Sequence, residues 1–330
     1  MREAYGLALK EVGETNPRIV VLDSDVSHST KTIYFGRAFP DRFFNFGIQE
    51  ANMMDAAAGL AAVGLIPFVN TFSFLASLRA AEQVRTSIAY NRLNVKIVGS
   101  YAGLSDSYDG ASHQSVFDLA VMRSMPNITV IVPSDRLETR QAVRVVAEMD
   151  GPVYLRICRN PVPDIFWGGY SFRIGPANLL RSGGDATILV TGVLVQRAFD
   201  AAAVLAAEGI QCRVMQFPTL KPLDAEAIKV ASEETGALVT VEEHNIIGGL
   251  GSAVAEVLGA VAPAPLERVG IADTFAESGD YEQLLDKYGM SVEDVIAAVR
   301  RAMARKVRRA GKAETSKRPN GRRPEKEIPR

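Results

Sequence analysis

The sequence predicts an α/β protein built as two doubly wound, mostly parallel-sheet domains. Short runs rich in Val and Ile alternate with helix-period segments, those runs show no polar alternation, and the alternation stops once and restarts near residue 170. A strand covered by helices on both faces has no solvent side to keep polar, so its run stays apolar throughout. The 330 residues are 47% hydrophobic and 23% charged, which supplies apolar side chains for more than one core.

In the first block, strands are expected at residues 19–23, 66–70, 95–100, 128–132 and 153–157, and helices at 3–12, 51–63, 75–89, 115–124 and 137–148. The connections are short, so residues 1–165 read as one domain. Pro161, Pro163, Trp167 and the Gly168-Gly169 pair break the periodicity, and a linker is expected over 166–178. The second domain, 179–305, carries strands at 186–191, 212–216 and 237–241 and helices at 196–208, 225–232 and 252–258. A last helix opens at Ser291, where Ser291-x-x-Asp294 has the capping-box pattern, and runs towards Arg305. Residues 306–330 form a basic tail; from Gly311 onward few large apolar residues and three prolines predict disorder.

The net charge of −1 conceals an asymmetry. Ten basic against three acidic residues from Lys306 to Arg330 give the tail +7 and leave about −8 for Met1 to Arg305. An acidic body disfavours a nucleic-acid face within the fold, and any affinity for polyanions belongs to the tail. Cys158 and Cys212 suit neither a disulfide framework nor a CxxC metal site, and both read as reduced core residues. No stretch approaches a membrane span and the N-terminus lacks a secretory pattern, so a cytoplasmic, membrane-free protein is expected.

Generic catalytic signatures are missing. There is no GxxxxGK[ST] loop, HExxH or GxSxG, which removes support from simple hydrolase and kinase readings. Gly249-x-Gly251 sits between strand and helix, but Val254 occupies the third glycine position of the dinucleotide fingerprint, so a tight turn is the plainer reading. Glu50 is different. It follows Phe43, Phe44 and Phe46 and opens a helix of Ala, Gly and Met. Burying a carboxyl is costly unless something donates to it or takes its proton, so this acid is either functional or a first-turn residue meeting a helix N-terminus. The loop Ser105-Asp106-Ser107-Tyr108-Asp109-Gly110-Ala111-Ser112-His113-Gln114 follows a strand end, where open α/β sheets bind ligands; Asp109 and His113 are polar contacts there or else turn and cap residues. Arg156 and Arg159 close another strand and could meet an anion or form surface ion pairs.

Four motifs in register carry a resemblance: Gly47-Ile-Gln-Glu50, Pro67-Phe-Val-Asn-Thr71-Phe72, Asp109-Gly-Ala-Ser-His113-Gln114, and Arg123-Ser-Met-Pro-Asn127 through Pro133-Ser-Asp135. Together they resemble the C-terminal half of transketolase, and Glu242-Glu243-His244 through Gly251 resembles that family's third domain. The resemblance covers about residues 3 to 303 and implies a pyrimidine-binding domain followed by a transketolase C-terminal domain. It implies thiamine diphosphate as cofactor and Glu50 as the catalytic acid that hydrogen-bonds N1′ of the aminopyrimidine ring, where a carboxyl kept protonated can hand its proton over. Position by position, Phe72 matches a pyrimidine-pocket aromatic and Asp25 a carboxylate near the cofactor. Asp109 matches a contact to sugar hydroxyls, and His113, Arg159 and Ser29 match the substrate's phosphate end. Leu75 and Leu78 stand where many transketolases have aromatics, and Tyr101 where a substrate-facing histidine is common.

The resemblance also implies something held elsewhere. No GDG motif is present, since Gly184-Asp185 and Gly279-Asp280 are followed by Ala and Tyr. Mg2+ or Ca2+ and the diphosphate are therefore expected on a separate N-terminal transketolase subunit, with self-association and a heterotetramer as the assembly and sugar phosphates as substrates. The rival readings are the β subunit of a 2-oxo acid dehydrogenase E1 component, a deoxyxylulose-phosphate-synthase-like half, and a non-enzymatic, inert binding subunit.

Overall fold

The structure, a computed structural model, describes residues 1–316, with side chains through Lys306. Each block builds its own sheet. The first carries β1 (Ile19–Asp23), β2 (Phe43–Asn45), β3 (Ile66–Phe72), β4 (Lys96–Ser100), β5 (Thr129–Ile131) and β6 (Val153–Ile157). The second carries β7 (Asn178–Arg181), β8 (Ala186–Val190), β9 (Cys212–Gln216), β10 (Thr219–Lys221), β11 (Leu238–Asn245) and β12 (Leu266–Ile271). The seven-stranded sheet has the order β10-β5-β6-β4-β3-β1-β2 and the five-stranded sheet β12-β11-β8-β9-β7. Every strand pairing is parallel except β10 on β5 and β7 on β9. All residues of β1, β4, β6 and β8 are buried, as their uninterrupted apolar runs predict.

Four strands escape the sequence reading: β2, β7, β10 and β12. Each is an edge strand. An edge has one solvated side and is short or polar, so it lacks the apolar run that marks an inner strand. β10 leaves the second block to pair antiparallel with β5, so the second block completes the sheet of the first. A buried charge network joins the blocks as well. Arg156, 5% exposed, grips Asp118 through Nε at 2.8 Å and Nη2 at 3.1 Å and donates to the backbone oxygen of Glu243 at 3.1 Å. Arg156 is thereby a structural residue, not a free anion contact. Arg123 donates to Gly248 O at 3.2 Å, adding a third tie between the blocks.

Three α-helices, Ser27–Thr30, Ile33–Ala38 and Tyr281–Lys287, were not expected from the sequence, and three expected ones are changed. The stretch expected as one helix at 75–89 is instead two π-helical turns, Leu75–Arg79 and Val84–Ala89, around a short α turn at Ala81–Gln83. The helix expected from 115 begins at Asp118, because the Ser115 carbonyl is committed to Gly103 N at 2.9 Å and Arg156 Nη2 at 3.2 Å. The last helix, Val292–Ser316, continues past Arg305; residues 317–330 of the expected disordered tail lie outside the described residues. Its start agrees with the capping box: Asp294 N donates to Ser291 Oγ and Ser291 N to Asp294 Oδ2. Cys158 and Cys212 are buried and free, and no described helix is long and apolar enough to cross a membrane.

Candidate active site

Parallel strands point their carboxyl ends to one edge of the sheet, and loops leaving that edge converge. β1, β3, β4 and β6 end there, and they deliver Asp25 and Ser29, Phe72, Tyr101, and Arg159 respectively. Backbone strain collects at the same edge: Asp25, Lys31 and Tyr101, none of them glycine, have φ of 66°, 69° and 60°. Such conformations cost on the order of 1–3 kcal/mol each and persist where the surroundings enforce them.

Tyr101 is the hub. Its ring, 5% exposed, lies 4.6 Å from that of Phe72. Arg2 Nη1 donates to its hydroxyl at 2.5 Å and to the Ser29 carbonyl at 3.1 Å. The guanidiniums of Arg2 and Arg159 sit 5.5 and 5.1 Å from its ring centre, so two cations flank one aromatic. His113 stands edge-on to Phe72 at 6.3 Å and to Phe74 at 5.4 Å, with Nδ1 3.0 Å from Ser112 Oγ. Ser29, Phe72, Tyr101, His113 and Arg159 therefore form one continuous surface.

Arg159 is anchored from below. Its Nη1 donates to Asp106 Oδ1 at 3.1 Å, and its backbone amide to Ser105 Oγ at 3.2 Å. Burial pushes the Asp106 carboxyl up to about 7, the neighbouring Asp109 reinforces the rise, and Arg159 opposes it. Asp106 Oδ2 has no donor among the described residues.

Glu50 opens the helix Glu50–Ala62 and is 1% exposed. Its Oε2 lies 3.2 Å from Arg79 Nε yet receives no hydrogen bond, so the pair is ionic contact without a directed donor. Arg79 is 64% exposed and closes the π-helical turn that carries Leu75, half-buried, and Leu78, exposed. Leu75 and Leu78 thus lie on the same turn as the arginine that reaches the acid. Asp25 stands apart from the Tyr101 surface: it is exposed, and Asn45 Nδ2 donates to its Oδ1 at 2.9 Å.

Three residues of this edge lay outside the sequence reading, Arg2, Phe74 and Arg79, and Asp106 entered it only as a member of its loop. Asp106 and Phe74 adjoin predicted positions; Arg2 and Arg79 reach the site only through packing. The Gly249-x-Gly251 turn has a structural use. Glu242 accepts from Leu250 N at 2.6 Å and Gly251 N at 2.7 Å, so a side-chain carboxylate fills the helix N-terminus that a dinucleotide phosphate would need. A Cβ on Gly249 would strike that carboxylate.

Comparison with known proteins agrees with this layout. The family model described as transketolase, pyrimidine binding domain, matches residues 1–164, and that described as transketolase, C-terminal domain, matches residues 175–295. A 6-deoxy-6-sulfo-D-fructose transketolase subunit of Clostridium sp. (strain MSTE9) is 42% identical over 306 residues, covering 93% of this chain and 95% of that protein. One of the subunits of an apulose-4-phosphate transketolase from Phocaeicola vulgatus is 36% identical over 295 residues, covering 89% and 94%. Among solved structures, a split gene transketolase, an inactive β4 tetramer, matches with a TM-score of 0.85 at 50% identity, covering 92% of this chain and 98% of that one.

Proposed function

The chain belongs to the transketolase family, and from that premise we propose that it is the C-terminal subunit of a split transketolase, moving a two-carbon ketol unit from a ketose to an aldose. It acts only with a separate N-terminal subunit that holds the diphosphate end of thiamine diphosphate and its Mg2+ or Ca2+, the two chains forming a heterotetramer.

The observation that carries the reading is a carboxylate oxygen, Glu50 Oε2, buried without a hydrogen bond at the carboxyl edge of the sheet. Such an atom is costly to leave unmet, so the site is built for a donor or proton acceptor that the chain itself does not provide. Thiamine diphosphate, the cofactor its family implies, fits that demand through a ring nitrogen of its aminopyrimidine. Phe72 and Leu75, half-buried, and Leu78, exposed, would serve as the apolar walls of the heterocycle, the positions their family matches assign them. When bound, the cofactor supplies an acidic thiazolium carbon that takes up and returns the two-carbon unit.

The chain's own part is then definite. Glu50 holds or donates a proton at the ring nitrogen, and Arg79 moves off Oε2 to let it. The leucines and Phe72 exclude water, which strengthens that hydrogen bond. Asp109 accepts from sugar hydroxyls, while Arg2, Arg159, His113 and Ser29 surround the anionic end of the substrate, with Tyr101 as the floor between them. Asp25 stands at the rim near the cofactor. The test is reconstitution: the chain is mixed with a transketolase N-terminal subunit, thiamine diphosphate and Mg2+, then offered a ketose donor with an aldose acceptor, or pyruvate with a dye oxidant. Ketol transfer supports the proposal, and turnover of pyruvate alone rejects it.

A further inference from the structure

Arg159 does not face the substrate pocket as a free cation. Asp106 holds it at 3.1 Å, and Asp106 is itself fully buried with Asp109 beside it. The next cation along the rim, Lys31, is already paired with Glu3 at 3.6 Å. The charge presented around Tyr101 is thus two guanidiniums, Arg2 and Arg159, with the buried carboxyl of Asp106 set against Arg159. That pair leaves one guanidinium, Arg2, without a carboxylate partner among the described residues, a surplus of a single positive charge. One negative charge on a ligand neutralises it, whereas a second would face the buried Asp106 carboxyl behind Arg159 with no further unpaired guanidinium or ammonium at this edge among the described residues.

We propose that Asp106 is a positioning residue that sets substrate specificity: by clamping Arg159 over Tyr101 and offsetting its charge, it tunes the site to a ketose whose far end bears one negative charge, a sulfonate or carboxylate, in preference to a dianionic phosphate ester. This rests on the transketolase reading and deepens it by naming the charge of the substrate. The clamp acts in two ways. It spends one Arg159 N–H and leaves Nε and the second amino group to address a single pair of oxygens. It also places a repulsive element against the doubly charged competitor, which is how binding sites separate ligands of similar shape.

The experiment uses the reconstituted two-chain enzyme at pH 8 with three donors of one carbon skeleton, ending in a hydroxyl, a sulfonate or a phosphate. Wild type is expected to favour the sulfonate over the phosphate by about tenfold or more in kcat/KM. In Asp106→Asn, the phosphate-to-sulfonate ratio rises by about tenfold, mainly through KM for the phosphate, and Asp106→Glu returns it towards wild type. A wild-type enzyme that prefers the phosphate, or an Asp106→Asn variant that shifts both charged donors by the same factor, overturns the inference while leaving the transketolase reading standing. Silence towards all three donors, the uncharged one included, overturns both.

Discussion

Glu50 carries the chemistry in the proposed function, and its environment is one that sequence could suggest but not complete. An acid set among aromatics at the head of an Ala-rich helix was legible. Its partner Arg79 was not, because the arginine approaches only when the chain from Leu75 winds as a π-helical turn rather than the α-helix its composition suggests. Arg2 escaped for a related reason: a helix start meets the end of β4 only across long-range packing. Two substitutions separate the roles. Glu50→Gln in the reconstituted enzyme should lower turnover by about 10²–10⁴-fold with the far-ultraviolet circular dichroism spectrum intact, because a positioned proton donor is lost while the fold is untouched. Arg79→Ala in the isolated chain should cost only about 1 kcal/mol in urea unfolding, since one half of its pair is mostly solvated.

At the level of elements, the inner strands were readable and the edges were not. β1, β4 and β6 are buried on both faces and show it as apolar runs, whereas β2 and β7 are largely solvated and carry no such mark. The Glu242 carboxylate at the head of helix Leu250–Ala260 shows the same limit: a Gly-x-Gly turn reads as a possible phosphate loop until the residue eight positions before Leu250 is seen bonding to it. Two amides of that helix depend on Glu242. Glu242→Ala should therefore destabilise the protein by about 1–3 kcal/mol in thermal or urea unfolding, and Glu242→Gln by less, since an amide oxygen still accepts.

The whole molecule is one in which the second block braces the site built by the first. Glu243 of β11 inserts its carboxyl beneath the loop after β4, where its Oε1 accepts from Leu104 N at 2.7 Å and Oε2 has no hydrogen bond. A Cβ on Gly103 would collide with that carboxyl, which explains the glycine at φ 63°. Burial pushes the Glu243 carboxyl up to about 7 despite the opposing pull of Arg156. The folded chain thus holds a proton that the unfolded chain, titrating near the ordinary 4.5, has released. The stability this lends is complete below about pH 4.5 and is lost as pH rises through about 7. Glu138, raised to about 7 mainly by burial, acts with the same sign; Lys96, lowered to about 7 by burial, acts with the opposite sign above that pH. Glu243→Gln should accordingly flatten the fall in unfolding free energy between pH 5 and 8, by on the order of 2–3 kcal/mol; a pH profile identical to wild type would mean that the acid ionises freely in the folded chain.

In the proposed enzyme Glu50 works on a proton of a cofactor shared with another chain. The most direct measurement is hydrogen–deuterium exchange at C2 of thiamine diphosphate bound to the reconstituted pair, followed by quenched-flow NMR with wild-type chain and with Glu50→Gln. Exchange slowed by about a hundredfold or more in the variant, with cofactor still bound, is the expected result. Exchange at the wild-type rate would contradict the account.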